Sequence, residues 1–247
     1  MTQFFSPPSF LRQFLHIIFP TSCASCQTPL RGDPVPCICR TCWETLLPIS
    51  GPCCPQCGGP FASPVALQHS PTHKCGACRT TPPAFTQTWS IFSYQSPLKE
   101  AITLFKYHGK PSLSTHLIQA MVPALPILPV LDVLIAVPLH PQRLREREYN
   151  QSLLLAHRLS QHLHIPLLVS CLIRIRPTAP QTSLSRKERL TNLRRAFKVD
   201  NPSLITGQRI LLIDDVYTTG TTLHECAKTL RKAGSGPVYG LTLARML

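Results

Sequence analysis

The fold of this chain is decided by the stretch ILLIDDVYTTGTT at residues 210–222. Its four consecutive aliphatic residues are typical of a strand buried on both faces of a parallel sheet. The residues that follow, 223–233, carry apolar side chains at helical spacing. Two acids and a Thr-rich loop therefore lie between the end of a strand and the start of a helix, where open α/β sheets bind their ligands.

The composition of this loop predicts a phosphate ligand. Gly220 allows close approach of the backbone, and the N–H groups at a helix N-terminus attract anions. Hydroxyl groups for the same ligand come from four side chains: Thr218, Thr219, Thr221 and Thr222. Asp214 and Asp215 suit hydrogen bonds from neutral hydroxyls, such as those of a ribose, better than contact with a phosphate. Any metal would then be held through water or substrate oxygens. A Walker A loop is excluded because no Gly-Lys-Ser/Thr ending follows. The alternative is that the stretch binds no ligand and is simply a buried strand followed by a Thr-capped helix.

The stretch resembles the phosphoribosyl pyrophosphate (PRPP) motif of type I phosphoribosyltransferases, in which aliphatic residues precede two acids, two variable residues and Thr-x-Gly-Thr. The resemblance implies an α/β fold with a type I phosphoribosyltransferase-like parallel sheet. It also implies that Asp214 and Asp215 contact the ribose, that residues 218–222 hold the 5′-phosphate, and that Mg²⁺ accompanies the ligand.

The chain has 247 residues, enough for two unequal domains, and a formal net charge of +14. This balance favours polyanionic partners such as phosphorylated substrates, nucleic acid or an anionic membrane surface. The positive charge is concentrated in residues 173–198, which contain eight basic residues and one acid. No apolar run approaches the roughly 20 residues of a membrane span, and residues 1–20 lack the basic start and cleavage site of a signal peptide, so we expect a cytoplasmic protein.

The spacing of cysteines predicts two structural zinc sites. Eight of the twelve cysteines form four C-x-x-C pairs: Cys23/Cys26, Cys39/Cys42, Cys54/Cys57 and Cys75/Cys78. Such pairs chelate metal more readily than they form a disulfide framework, which suits a reducing compartment. Consecutive pairing gives two closed tetrahedral Cys₄ sites, a double zinc ribbon whose ions stabilise the fold without an open position for catalysis. The alternatives are that Cys37 or Cys53, or His69 or His73 at the second site, replaces a thiolate.

Two domains are expected. Residues 1–80 are predicted to form an N-terminal helix and the double zinc ribbon, and residues 87–247 the phosphoribosyltransferase-like domain. The helix predicted over 9–19 either packs on the segment after it or acts as a membrane anchor. A membrane anchor is the less favoured alternative, because Arg12 is the single basic residue on this helix. In the second domain further strands are predicted at 88–94, 131–137, 167–175 and 238–243, and helices at 97–107, 112–121, 151–164 and 185–196.

Basic residues follow the strand predicted over 131–137. This loop contains Pro138 and three spaced arginines, Arg143, Arg145 and Arg147, which suit a diphosphate. In type I phosphoribosyltransferases the corresponding loop holds the pyrophosphate of PRPP, so the resemblance implies the same role for these residues.

Several motifs together are similar to the ComF family of competence-associated proteins, also called the ComF/GntX family. They are Val-Pro-Leu at 137–139, Arg-x-aromatic-Asn-Gln at 147–151, Lys106-Tyr107-x-Gly109, the stretch 180–192 and the N-terminal cysteine pairs. The resemblance makes Lys106 and Tyr107 further site candidates. It also implies a flap or DNA-binding segment with five candidate residues: Gln181, Arg186, Lys187, Arg189 and Asn192. One residue departs from the family pattern, because Glu148 stands where the family usually has Gly and brings a negative charge near the diphosphate loop.

The resemblance implies pentosyl transfer, in which a nucleophile displaces pyrophosphate from C1′ of Mg²⁺-bound PRPP. A second hypothesis is a binding module that holds a nucleotide or single-stranded DNA without turnover and acts with a helicase-like competence ATPase in DNA uptake. A third, a transcriptional regulator that senses PRPP, needs a DNA-binding motif, and no helix-turn-helix pattern is evident. The sequence contains no stretch recognisably dedicated to an acceptor.

Overall fold

The computed structural model describes residues 22–30, 32–63, 65–68, 70–176, 193 and 195–247. Its strands are β1 (Gln87–Ser93), β2 (Val133–Ala136), β3 (Leu172–Arg174), β4 (Phe197–Val199), β5 (Ile210–Tyr217) and β6 (Val238–Arg245). Its α-helices are α1 (Arg40–Glu44), α2 (Val65–Gln68), α3 (Gly76–Thr80), α4 (Leu98–Tyr107), α5 (Leu113–Met121), α6 (Pro141–Arg147), α7 (Gln151–Leu163) and α8 (Thr221–Lys232). Among these described helices, none combines the length and apolar character needed to span a bilayer. The helix predicted over 9–19 and most of the one over 185–196 lie outside the described residues.

Four parallel strands form the central sheet in the order β1-β6-β5-β2. β5 lies inside the sheet, and its residues alternate between the two faces. Leu211 and Ile213 pack with the layer that contains α4, α5 and α7, whereas Ile210 and Leu212 pack with α8 and the small antiparallel β3–β4 sheet. Burial on both faces is the reason why four aliphatic residues stand in succession. The predicted α/β fold with a central parallel sheet is confirmed.

Three elements differ from the prediction. β5 continues through both acids to Tyr217, because its last residues still pair with β6. The strand expected over 167–175 divides, since Leu167 makes one parallel bridge to β2 and β3 then pairs antiparallel with β4. Helix α6 replaces the loop expected after β2, because Pro141 suits the first turn of a helix and the His140 side chain accepts a backbone N–H there.

The cysteine-rich segment packs directly on β1, an edge strand of the sheet. The N–H of Ile49 donates to the carbonyl of Ile91 at 2.7 Å, and the N–H of Thr88 donates to the carbonyl of Gln56 at 2.9 Å. The Thr88 hydroxyl also donates to the carbonyl of Cys57 at 2.9 Å. Buried residues of both parts of the chain belong to the same apolar clusters. The cysteine-rich segment is therefore joined to the sheet by a shared core.

Candidate functional site

One open pocket of about 590 Å³ lies at the carboxyl ends of the parallel strands. Its lining comes from α4, the β2–α6 connection, α6, α7, β3 and β5 with its loop, and it includes Lys106, Tyr107, Pro138, Arg143, Arg147, Ser152, Arg174, Asp214, Asp215, Thr218 and Thr222. Parallel strands place their carboxyl ends on one side of a sheet, so residues far apart in the chain meet there. Residues predicted for the ribose, the phosphate and the diphosphate thus line one pocket.

Asp214 is held by two hydrogen bonds. Ser152 Oγ donates to Asp214 Oδ1 at 2.9 Å, and the backbone N–H of Asp215 donates to the same oxygen at 2.9 Å. Burial, followed by the negative charge of Asp215, raises the pKa of Asp214 to about 7. Asp214 therefore changes between hydrogen-bond acceptor and donor around neutral pH.

Lys106 supplies a positive charge to this acid pair. Its Nζ lies 2.8 Å from Asp215 Oδ1, and the two side chains are 17% and 12% exposed. Burial lowers the pKa of Lys106, but the carboxylates of Asp215 and Asp214 outweigh it, so the pKa is raised. Because Lys106 comes from the last turn of α4, an element far upstream of β5 completes the acid pair.

Arg147 is held at the pocket by three contacts. Its Nη2 donates to Tyr107 Oη at 3.0 Å, its Nη1 donates to Gln151 Oε1 at 3.2 Å, and its Cζ lies 4.7 Å from the centroid of the Tyr107 ring. Tyr107 is 59% exposed, so an aromatic ring stands at the pocket mouth. Arg143 also lines the pocket, whereas Arg145 is exposed and lies outside the pocket lining. The three predicted arginines therefore divide into two that line the site and one on the surface beside it.

The loop at 218–222 turns through Gly220, whose φ of 76° lies in the left-handed region. A Cβ at this position would lie 2.1 Å from Tyr217 Oη, so a larger residue does not fit. Glycine is thus required both by the backbone conformation and by the neighbouring ring.

The four loop threonines have two different environments. Thr218 and Thr222 line the pocket. Thr219 and Thr221 instead bring their Oγ1 atoms within 2.8 Å of each other, and Thr221 is 3% exposed. The first pair therefore belongs to the pocket lining, and the second pair links the loop to the first turn of α8.

Ser152 and Arg174 are among the polar side chains of the pocket that were not predicted from the sequence as site residues; Tyr94, His140, Gln142 and Gln151 are the others. Ser152 lies in the first turn of α7, where the Asn150 side chain accepts its N–H at 3.0 Å. Arg174 ends β3 with its Cζ 5.7 Å from the Phe197 ring, and burial lowers its pKa. The available signal was position, since Ser152 directly follows the 147–151 motif and Arg174 is a charged residue at the end of an apolar stretch. Five predicted flap residues lie outside the described residues: Gln181, Arg186, Lys187, Arg189 and Asn192.

The eight paired cysteines form two clusters: Cys23, Cys26, Cys39 and Cys42, and Cys54, Cys57, Cys75 and Cys78. Within each cluster the Sγ atoms lie within 4.8 Å of one another. The Sγ atoms of Cys26 and Cys39 are 3.6 Å apart, and those of Cys57 and Cys75 are 3.7 Å apart. These distances are close to the roughly 3.8 Å that separates thiolates around a tetrahedral zinc ion. The clusters fit two structural Cys₄ zinc sites, and the predicted consecutive pairing is confirmed.

Three of the alternative ligands lie within the described residues, and none of the three enters these clusters. Cys37, Cys53 and His73 belong to neither cluster. The ring of His73 instead lies against that of Phe61, with centroids 5.8 Å apart. His69 lies outside the described residues.

Comparison with known proteins finds two family models in the chain. The family models described as Double zinc ribbon domain and Phosphoribosyl transferase domain match residues 14–79 and 150–239. Competence protein F of Haemophilus influenzae is 32% identical over 238 residues, which cover 94% of this chain and 93% of that protein. This chain belongs to the ComF family.

Two further relatives support this membership. Competence protein ComFC of Bacillus subtilis is 32% identical over 214 residues, which cover 84% of this chain and 84% of that protein. DNA utilization protein YhgH of Shigella flexneri is 33% identical over 205 residues, which cover 78% of this chain and 84% of that protein. The ComF resemblance found in the motifs is therefore confirmed over nearly the whole chain.

The departure from the ComF pattern at Glu148 has a backbone explanation. Glu148 ends α6 with a φ of 65°, in the left-handed region that glycine adopts without strain. The side chain is exposed and lies outside the pocket lining. The glycine of the family pattern thus suits the helix end, and the negative charge of Glu148 does not line the site.

Proposed function

We propose that this ComF-family protein binds Mg²⁺-bound PRPP, or the ribose 5-phosphate group of a nucleotide, at the carboxyl end of β5. The observation that supports this most is the acid pair of Asp214 and Asp215, which lines one pocket together with Thr218 and Thr222 of the 218–222 loop and with Arg143 and Arg147. A helix N-terminus suits one phosphate, and arginine side chains suit a diphosphate. A loop for one phosphate, two acids for the sugar hydroxyls and arginines for a diphosphate, all in one pocket, suit a ribose that carries phosphates at both ends.

Each group then has a role in the displacement of pyrophosphate from C1′. The ionised acids accept from the ribose hydroxyls and fix the sugar, while Lys106 and Ser152 hold the acids in place. The bond from C1′ to the diphosphate oxygen breaks as the acceptor bonds to C1′, and its electron pair leaves with pyrophosphate. Arg143 and Arg147 stabilise the negative charge that develops there.

Magnesium fits this set of residues as an ion that arrives with the substrate. Carboxylates are the hard oxygen donors that Mg²⁺ prefers. Lys106 already neutralises Asp215 from 2.8 Å, which favours an ion held through water and substrate oxygens. When bound, Mg²⁺ supplies neutralisation of the diphosphate charge.

Asp214 gives the proposed binding a dependence on pH. The ionised carboxylate can accept on both oxygens, whereas protonation turns one of them into a donor, and the pKa of Asp214 is about 7. We expect affinity for ribose 5-phosphate to rise as the pH increases from about 6 to about 8. The Asp214→Asn variant separates this effect from ionisation of the ligand phosphate, because the ligand titrates in both proteins.

Calorimetric titration with Mg²⁺-PRPP and with ribose 5-phosphate tests the proposal. Changing Asp214 and Asp215 together to Asn keeps their size and should weaken binding by about 10-fold or more. Asp200→Asn is the matched control, since Asp200 is an exposed acid outside the pocket lining. Release of pyrophosphate on addition of candidate acceptors separates transfer from binding. Equal affinity in the wild type and the double variant would contradict the proposal. The chain would then share the fold of phosphoribosyltransferases but not their ligand site.

The names of the relatives support a role with DNA, since they are competence and DNA utilization proteins. We propose that this protein handles incoming single-stranded DNA, with a helicase-like competence ATPase as its partner. The observation that favours direct DNA contact is the exposed Tyr107 ring beside Arg147, with the exposed Arg145 on the same helix as Arg147. Bases of single strands stack on such rings while neighbouring cations contact the phosphates.

Anisotropy titrations with a fluorescent oligothymidine test this second role. Tyr107→Ala should weaken binding by roughly 1–3 kcal/mol through the lost stacking. Arg145→Ala should lower the log–log salt slope by about 0.7 and leave PRPP binding unchanged. Lys99→Ala is the control, because Lys99 is an exposed cation on α4 outside the pocket lining. If Arg145→Ala weakens PRPP binding and not DNA binding, Arg145 belongs to the PRPP site and the DNA role loses its support.

A further inference from the structure

Arg245, the last residue of β6, contacts the second cysteine cluster. Its Nη1 donates to the carbonyl of Cys57 at 2.7 Å, and its Nη2 lies 3.8 Å from Cys57 Sγ. Cys57 is one of the four cysteines of that cluster. Four thiolates outweigh the charge of one zinc ion, so a guanidinium at this distance stabilises the metal-bound state.

The same guanidinium covers the ring of Tyr217. The Arg245 Cζ lies 4.1 Å from the ring centroid, within the range of a cation–π contact. Tyr217 is 7% exposed, and its Oη lies so close to Gly220 that a Cβ there would be 2.1 Å away. The N–H of Met246 donates to the Tyr217 carbonyl at 3.0 Å and fixes the backbone as well. One series of contacts therefore leads from Cys57 through Arg245 and Tyr217 to Gly220.

Gly59 shows how closely the cluster and Arg245 fit each other. A Cβ at Gly59 would lie 2.9 Å from Arg245 Nη2 and 3.4 Å from Cys57 Sγ. A larger residue at this position would displace the guanidinium from the cluster. The turn that carries Cys57 is thus shaped to receive Arg245.

We propose that Arg245 is a positioning residue through which the second Cys₄ cluster fixes the shape of the 218–222 loop. The metal site and the ligand site are then coupled. Coupling of this kind is reciprocal, so a ligand that orders the loop also alters the environment of the cluster. The ligand half of this inference rests on the proposed function, whereas the contact between cluster and loop does not.

Three variants isolate the contact. Arg245→Met removes the charge and the donors but keeps an extended apolar chain, and Arg245→Lys keeps the charge. Arg209→Met is the matched control, because Arg209 pairs with Asp132 at 2.6 and 2.9 Å just before the first residues of β5 and β2. That ion pair lies at the opposite ends of the strands from the 218–222 loop.

The first measurement is hydrogen exchange on the zinc-loaded full chain, which needs no ligand. Arg245→Met should retain two zinc ions and accelerate exchange of the amides at 217–222 and 56–59 by about 10-fold or more. Exchange at 133–137 should stay as in the wild type, and Arg245→Lys should restore part of the protection. Unchanged exchange at 217–222 in Arg245→Met, or the same acceleration in Arg209→Met, would overturn the proposal.

The second measurement uses Co²⁺ in place of zinc, because cobalt thiolates absorb visible light. Mg²⁺ with ribose 5-phosphate should change this spectrum in the wild type and in Arg209→Met, but not in Arg245→Met at saturating ligand. A residue that merely stabilises the fold would leave the spectral change intact at saturation, and this result would refute the coupling. If wild-type protein fails to bind ribose 5-phosphate, the proposed function fails, and hydrogen exchange still decides the role of Arg245.

Discussion

Replacement of Lys106 by Met should destabilise the protein strongly at pH 8 and less at pH 5. The Lys106 Nζ lies 2.8 Å from Asp215 Oδ1, with both side chains largely buried. At this distance and an effective dielectric constant of about 20, opposite unit charges attract by about 6 kcal/mol. Desolvation offsets part of this attraction, and removal of one partner of a buried pair costs about 3–5 kcal/mol. We expect that loss at pH 8.

The dependence on pH comes from the acids. The pKa of Asp214 is raised to about 7, so the folded state disfavours its ionised form and loses stability as the pH rises from about 4 to about 7. Lys106 stays charged throughout this range, because its pKa is raised further above the ordinary value for lysine. Without Lys106 the two carboxylates repel each other unscreened, and uptake of a proton at pH 5 relieves the repulsion. The loss should therefore shrink by roughly 1–3 kcal/mol between pH 8 and pH 5.

Urea denaturation followed by circular dichroism at several pH values measures this loss. Lys99→Met is the matched control, since Lys99 lies on the same helix and is exposed. The double variant Lys106→Met/Asp215→Asn should recover stability at pH 8, because it removes the unpaired charge together with its partner. A loss that is the same at pH 5 and pH 8, or a double variant as unstable as Lys106→Met alone, would refute the electrostatic account.

Three further results are expected. Protein purified without chelator should contain two zinc ions per chain by metal analysis, and Cys57→Ser should lower both the zinc content and the stability of the sheet, because the Cys57 carbonyl accepts from Thr88 on β1. Glu148→Gly should raise the free energy of unfolding by about 1 kcal/mol, since the residue has a φ of 65°, and unchanged stability in urea would mean that the helix end is unstrained. Asp132→Asn should lower stability at pH 7 but not near pH 2: the bonds from Arg209 lower the pKa of Asp132 to about 2, so its stabilising effect is present above about pH 4 and is lost as the pH falls through 2.

The sequence predicted the parts of the site that are continuous in the chain. Residues 210–222 could be assigned to a strand that carries an acid pair and a loop before a helix because their pattern is local and periodic. The cysteine pairs were assigned correctly for a similar reason, since the geometry of each knuckle is set by a spacing of two residues. The end of β5 was missed because its last residues are held by pairing with β6, which is a tertiary contact.

The sequence did not reveal the contacts that join distant segments. Lys106 and Asp215 are 109 positions apart and meet because α4 packs across the sheet, which no local pattern encodes. The contact of Arg245 with Cys57 spans 188 positions and involves an arginine outside any motif. The strain at Glu148 likewise depends on how α6 ends, and α6 itself was expected as a loop.

Lys106, Arg147 and Arg245 share one property, which is that they lie outside the phosphoribosyltransferase match and contact the acid pair, the pocket mouth or the residue next to the 218–222 loop. The match covers 150–239, whereas Lys106, Arg147 and Arg245 all lie beyond it. Lys106 sets the charge of the acid pair, Arg147 holds an aromatic ring at the pocket mouth, and Arg245 connects the loop to a cysteine cluster. The matched range contains the loop and the acids, and these three residues add a cation beside the acids, an aromatic ring at the pocket mouth and a connection to the second cysteine cluster.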